Sequence, residues 1–161
     1  MSDQIFRERR GRGWCAVLGY IAAVLLATIT GSIVQTQFNL AAIHSLGAEI
    51  PMGLWLSTTL QDLIEFSPVL FIIIAVTFLV ALPVGALMAR ILGALRTPLC
   101  VVSAAVGLGV AIHVINDLVP MPTLIAATRE TPGLIAMLAC AGAGGWLYAA
   151  MTQPKTGDLE L

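Results

Sequence analysis

The chain has two histidines, and both lie in similar sequence surroundings. Each follows an Ala-Ile dipeptide and precedes a Pro-Met dipeptide by seven residues. His44 precedes Pro51-Met52 in this way, and His113 precedes Pro120-Met121. An imidazole changes charge near neutral pH and is a common ligand of transition metals and haem iron. Two histidines at matching depths of one fold could therefore bind a metal or haem, or transfer protons.

Acidic and amide side chains near both histidines extend this candidate polar site. Asn116 and Asp117 follow His113 by three and four residues, which places them on one face of a helix with it. Glu49 is a second acid, close to His44 in the sequence. The alternative interpretation is that Asn116 and Asp117 only satisfy the polar backbone at a helix end.

The chemistry of this candidate site is not specified further by any motif. The chain has no HExxH motif and no paired thiolates. The sequence therefore assigns no catalytic residue, favours a protein that is not an enzyme, and predicts no cofactor. Haem or a metal at His44 and His113 is kept as an alternative.

The matching surroundings of the histidines have two interpretations. One is a duplicated unit of a helix, the His and Pro-Met motif, an outer segment and a second helix, with both copies running in parallel. The other is a chance match, because Ala and Ile are frequent in this composition and the two linkers differ in length.

The composition indicates that most of the chain lies in a membrane rather than in water. Hydrophobic residues make up 58% of the chain and charged residues 11%, whereas a soluble domain has roughly 25% charged residues. A membrane-spanning helix needs about 20 mostly apolar residues. Four segments meet this requirement, at about 14–34, 68–89, 98–119 and 132–151. The sequence predicts an all-α integral membrane protein with one compact four-helix domain over residues 14–151.

The basic residues predict the orientation of this domain. Four arginines precede the first predicted helix, two lie between the second and third, and one lysine is in the tail: Arg7, Arg9, Arg10, Arg12, Arg90, Arg96 and Lys155. Only Arg129 falls on the other side. By the positive-inside rule, residues 1–13 and 152–161 face the cytoplasm, and the segments 35–67 and 120–131 face outward. The expected location is the cell (inner) membrane, and the net charge of −1 argues against a nucleic-acid partner.

The first outer segment contains a further helical pattern. Apolar residues recur at helical spacing on one side, and polar residues on the other: Leu56, Leu60, Leu63 and Ile64 against Ser57, Thr58, Gln61, Asp62 and Glu65. Trp55 and Phe66 stand at the two ends. We expect an amphipathic helix on the outer membrane surface that covers the bundle or binds a partner.

Small residues spaced four apart predict close helix packing in the first two predicted spans. They are Gly19, Ala23, Ala27 and Gly31 in the first, and Ala81, Gly85, Ala89 and Gly93 in the second. The sequence leaves open whether they serve the bundle itself, a homo-oligomer or another subunit. Pro83 lies well inside the second span and predicts a kink.

Three functions follow from these features, in order of preference. The first is a non-catalytic accessory or assembly subunit, with the bilayer and other membrane subunits as partners. The second is a small transporter or channel, working as a homo-oligomer, that uses His113 and Asp117. The third is a membrane redox or lipid-modifying enzyme with a site at His44 and His113.

Overall fold

The computed structural model describes residues 2–47, 49, 51–93, 95–118 and 126–153, with side chains described from residue 13 onward except at 126 and 129. The regular structure in these residues is helical. The elements are α1 (Ser2–Ser45), α2 (Met52–Glu65), α3 (Ser67–Leu92), α4 (Arg96–Leu118), a 3₁₀ turn (Ala126–Arg129) and α5 (Thr131–Thr152). Residues 120–125, which include Pro120-Met121, and the chain beyond residue 153 lie outside the described residues.

Four of these helices are long and apolar enough to cross a membrane. The qualifying stretches are Gly13–Ser45, Ser67–Leu92, Arg96–Leu118 and Thr131–Thr152, and the shortest has 22 residues. At about 1.5 Å per residue each exceeds the roughly 30 Å of a hydrocarbon core. The prediction of an all-helical chain with four such helices packed together is confirmed.

The sequence left open where the first helix ends. It could end near Val34, where Gln35 and Gln37 interrupt the apolar run, or continue to His44, and the structure shows that α1 continues to Ser45. The polar side chains do not unwind the helix because elements distant in sequence satisfy them. Gln35 bonds to the 3₁₀ turn and Gln37 bonds to α2.

The four long helices pack around an apolar core. Helix α5 packs along both α1 and α4, and α3 packs along α4 and against α1. Helices α1 and α4 make no direct contact within the described part of the chain, so they occupy opposite corners. Phe78, Leu70, Ile74, Leu108 and Met137 are buried at the centre.

Small residues allow close approach between these helices. A Cβ at Gly144 of α5 would lie 2.8 Å from the carbonyl oxygen of Ala23, and one at Gly145 would overlap the Cys100 carbonyl oxygen. On the α3 side, a Cβ at Gly85 would overlap Ser103 Oγ of α4.

The predicted packing residues lie mostly on these faces. Seven are buried: Gly19, Ala23, Ala27, Gly31, Ala81, Gly85 and Ala89. Gly93 differs, because it is exposed and ends α3 in a left-handed conformation with φ of 59°. Pro83 lies inside α3 with its ring exposed, and the helix continues to Leu92.

A one-residue break separates α2 from α3. Phe66 joins the two helices and keeps a right-handed helical conformation. Pro68 follows in the first turn of α3 and has no N–H to donate to the carbonyl of Ile64. The chain can therefore change direction here, and α2 packs against α1 as a separate element.

Candidate functional site

The structure brings together two of the five residues of the predicted polar site. On α4, His113 Nε2 lies 3.6 Å from Asp117 Oδ2, one helical turn away. Their side chains are 81% and 68% exposed. The neighbouring Ile112 is buried, so this pair lies on the side of α4 that faces away from the core.

The other predicted residues do not join this pair. His44 lies in the last turn of α1 and Glu49 in the connection to α2, and both are exposed. Neither side chain makes a hydrogen bond or ion pair to another described residue. Asn116 is partly buried. Because α1 and α4 do not contact each other, His44 and His113 are carried by helices on opposite corners of the bundle.

A different set of polar residues forms the most extensive side-chain network in the described structure. It consists of four residues on α1, which we call the α1 polar patch: Ser32, Gln35, Thr36 and Gln37. Three of them are buried and Gln37 is partly buried. Their partners come from α2 and from the 3₁₀ turn.

Thr36 and Ser32 bind the C-terminal part of α2. The fully buried Thr36 hydroxyl lies 2.9 Å from Asp62 Oδ2 and 3.0 Å from the Ser32 carbonyl oxygen, so it can donate to either. Ser32 Oγ lies 3.5 Å from the backbone oxygen of Asp62. These contacts fix the last turns of α2 against α1.

Gln37 binds the other half of α2 with both ends of its amide. Trp55 Nε1 donates to Gln37 Oε1 at 2.8 Å, and Gln37 Nε2 donates to Thr59 Oγ1 at 3.3 Å. Trp55 and Thr59 are one turn apart on α2. One amide therefore fixes both the position and the rotation of the helix.

Gln35 binds the 3₁₀ turn that precedes α5. Its Oε1 accepts a hydrogen bond of 2.9 Å from the backbone N–H of Ala127. Ala127 is itself buried and lies against Gly133 of α5. One turn before Ser32, the Thr28 hydroxyl is buried without a hydrogen-bond partner among the described residues.

The opposite end of the bundle has a second polar contact, centred on Arg96 at the start of α4. Its guanidinium donates to the Thr152 carbonyl oxygen at 2.6 Å and to Thr152 Oγ1 at 3.0 Å. The same group lies 5.9 Å from the centre of the Tyr148 ring. A cation on the last carbonyls of a helix is favourable, so Arg96 fastens α4 to the C-terminal end of α5.

The sequence contains a signal for the α1 polar patch. We interpreted its residues as an interruption of the apolar run and as support for a transporter, and not as contacts between helices. Hydroxyl and amide side chains three and four residues apart within an apolar helix typically bond to a neighbouring helix. The partners could not be read from the sequence, because Asp62 lies 26 residues from Thr36 and Ala127 lies 92 residues from Gln35.

The chemistry available to these groups is mainly that of hydrogen-bonding contacts between helices. Within the described residues, no three His, Cys, Asp or Glu side chains come together in a way that could hold a metal ion.

Comparison with protein-family models, with curated proteins and with solved structures finds no match to this chain.

Proposed function

We propose that this chain is a non-catalytic accessory or assembly subunit of a larger membrane complex. The observation that carries the proposal is that side-chain packing and hydrogen bonds between helices occupy the interior of the bundle. Large apolar side chains such as Phe78 and Leu108 fill the centre, and the glycines of α5 bring backbones into contact. The buried polar groups of the α1 polar patch bond helix to helix. A rigid bundle of this kind presents its outer faces for contacts with other subunits.

The proposed location is the cell (inner) membrane, with both termini in the cytoplasm and α2 on the outer side. The arginines near the N-terminal end of α1, near the C-terminal end of α3 and at the start of α4 support this orientation. The matching sequence surroundings of His44 and His113 favour the duplicated unit, in which a rotation about the membrane normal would relate α1 to α4 and α3 to α5.

Native mass spectrometry of the protein extracted gently from its own membrane tests the subunit proposal. We expect a complex that contains other polypeptides in fixed stoichiometry. A monomer or homo-oligomer that carries only lipid would contradict the proposal. A tagged, unrelated four-helix protein of the same membrane is the control. It identifies polypeptides that co-purify non-specifically with any helical bundle.

Tryptophan substitutions on separate outer faces identify the surface that contacts the other subunits. Leu25, Val106 and Ala143 are exposed on α1, α4 and α5 respectively. We expect Trp at one of these positions to remove the other polypeptides, while the remaining two variants keep them. All three should keep the thermal stability of the wild type, because none of the three side chains is in the core.

A small oligomeric transporter is the second candidate, and the exposed His113–Asp117 pair favours it. Because the pair faces away from the packed core, its pathway would run between copies of the chain. Purified protein in liposomes should then move an ion or metabolite, and His113→Ala or Asp117→Asn should reduce that flux. The redox or lipid-modifying enzyme has less support, because His44 and His113 lie on helices that do not contact each other.

A further inference from the structure

Helix α2 has three faces with different surroundings, where the sequence predicted two. The first face packs against the bundle and is mostly polar. Trp55, Thr59 and Asp62 bond to the α1 polar patch. Leu63, which we expected on the same apolar face as Leu56, Leu60 and Ile64, is partly buried. We call this the protein face of α2.

The second face is apolar and exposed. Met52, Leu56, Leu60 and Ile64 follow one another at four-residue steps, and Leu60 and Ile64 are 55% and 75% exposed. Beyond the break at Phe66, exposed apolar residues continue along α3 at the same spacing, as Ile72, Val76 and Val80. We call the first four residues the apolar face of α2.

The third face is exposed and mostly polar. It contains Ser57, Gln61 and Glu65, together with Leu54 in the first turn. Gln61 Nε2 donates to Glu65 Oε1 at 3.1 Å. Successive residues of a helix are turned by about 100°, so the consecutive residues Thr59, Leu60 and Gln61 point to the protein, apolar and polar faces in turn.

A helix divided in this way fits a place where protein, hydrocarbon and water meet. With 14 residues, α2 reaches about 21 Å and is too short to cross a bilayer. The four-residue spacing of its exposed apolar residues continues along the sequence into α3, which is long enough to cross one. We propose that α2 lies at the bilayer surface beside the bundle, with its apolar face in contact with the acyl chains of zwitterionic phospholipids.

The charge of α2 determines the class of lipid. The helix contains no Lys or Arg, and its exposed polar face contains the Glu65 carboxylate. Anionic headgroups would be repelled by Glu65, whereas the cationic choline or ethanolamine of a zwitterionic headgroup can approach it. This inference rests on the proposed membrane location of the bundle.

Spin labels on the three consecutive residues test the proposal. The background replaces the natural cysteines (Cys15→Ser, Cys100→Ala, Cys140→Ala), and single cysteines are placed as Thr59→Cys, Leu60→Cys and Gln61→Cys. Each labelled protein is reconstituted in phosphatidylcholine vesicles. The collision rates of the label with oxygen, which concentrates in lipid, and with a water-soluble nickel chelate are then measured by EPR. Val76→Cys on α3 is the reference for a position within the bilayer.

We expect the label at 60 to collide more often with oxygen and the label at 61 to collide more often with the nickel chelate. The label at 59 should have low collision rates with both. If the label at 60 reaches the nickel chelate as readily as that at 61, the apolar face contacts water and the proposal is wrong. If it reaches neither reagent, another protein surface covers the face, which also overturns it. Failure of the membrane location itself would appear separately, as a label at 76 that favours the nickel chelate.

The lipid class is tested by exchanging half of the phosphatidylcholine for phosphatidylglycerol. We expect the preference for oxygen at position 60 to fall by about twofold or more, and Glu65→Gln to restore it. An unchanged or increased preference in the anionic vesicles would overturn the assignment to zwitterionic lipid. Asp117→Asn is the matched control, because it removes an exposed carboxylate on α4, away from α2, and should not restore the preference.

Discussion

At the scale of single residues, the described structure depends on a few polar groups and glycines. The sequence indicated which residue types mattered, since both the glycine spacing and the hydroxyl and amide run of α1 are visible in it. It could not indicate their partners. The contacts of Thr36 and Gln35 join residues far apart in the chain, and only the packing of whole helices brings them together. The predicted site at His44 and His113 remained a prediction from local spacing.

Thr36→Val should loosen α2 without disturbing the rest of the bundle. The substitution removes the hydroxyl that bonds to the Asp62 carboxylate while it keeps the volume of the side chain. We expect a local loss of about 1–2 kcal/mol. In hydrogen exchange, the amides of α2 should exchange faster, while those of α4 keep their rates. Thr36→Ser keeps the hydroxyl and loses only a buried methyl group, so the amides of α2 should exchange more slowly than in Thr36→Val. Equal acceleration in α4 would show that Thr36 supports the whole fold.

Gly145→Ala should destabilise the bundle, because the added Cβ would overlap the Cys100 carbonyl oxygen. A backbone atom can move away only if α4 and α5 separate, which we expect to cost about 1–3 kcal/mol. Gly109→Ala is the matched control, because its Cβ would meet only the end of the Leu138 side chain at 3.4 Å. Thermal unfolding in detergent should show a lower Tm for the first variant and an unchanged Tm for the second. Equal Tm values would contradict the close approach at Gly145.

At the scale of helices, apolar runs of sufficient length predicted the four long elements correctly, because length and hydropathy are local properties. The end of α1 was not predictable in the same way. A run of polar residues normally ends an apolar helix, and here partners from α2 and the 3₁₀ turn keep it helical. The three faces of α2 could not be predicted for a similar reason. The face that packs against α1 is itself polar, so the sequence pattern does not distinguish it from the exposed polar face.

Arg96→Ala should release the C-terminal turn of α5 from α4. The substitution removes two hydrogen bonds to Thr152 and the contact with the Tyr148 ring. We expect a local loss of about 1–2 kcal/mol, measured as faster hydrogen exchange in residues 149–153. Arg96→Lys keeps the charge without the planar pair of donors and should give an intermediate rate. Unchanged exchange in both variants would show that the last turn of α5 is held by its apolar contacts alone.

At the scale of the whole molecule, composition predicted a helical bundle but not the order of the helices around it. Small residues mark the faces that pack closely. Gly144 and Gly145 bring α5 close to α1 and to α4, and Gly85 brings α3 close to α4. Orientation in the membrane is a prediction of the same scale, because it depends on basic residues summed over the chain rather than on any one contact.

Single cysteines at the two ends of the bundle test the orientation. In the cysteine-free background, Glu49→Cys and Gln153→Cys replace exposed residues near opposite ends of the bundle. We expect a membrane-impermeant maleimide to label Glu49→Cys in intact cells, and Gln153→Cys only after the membrane is permeabilised. The reverse pattern would place the termini outside.

The close fit of α1 against α5 joins the beginning of the described chain to its end. Gly144 and Gly145 complete contacts with Ala23 on α1 and with Cys100 on α4. During synthesis, α1 leaves the ribosome long before α5 exists, so one side of it has no intramolecular partner over that interval. The bundle therefore closes only when α5 arrives. In a chain truncated before α5, the faces of α1 and α4 that pack against Gly144 and Gly145 would have no partner within the molecule.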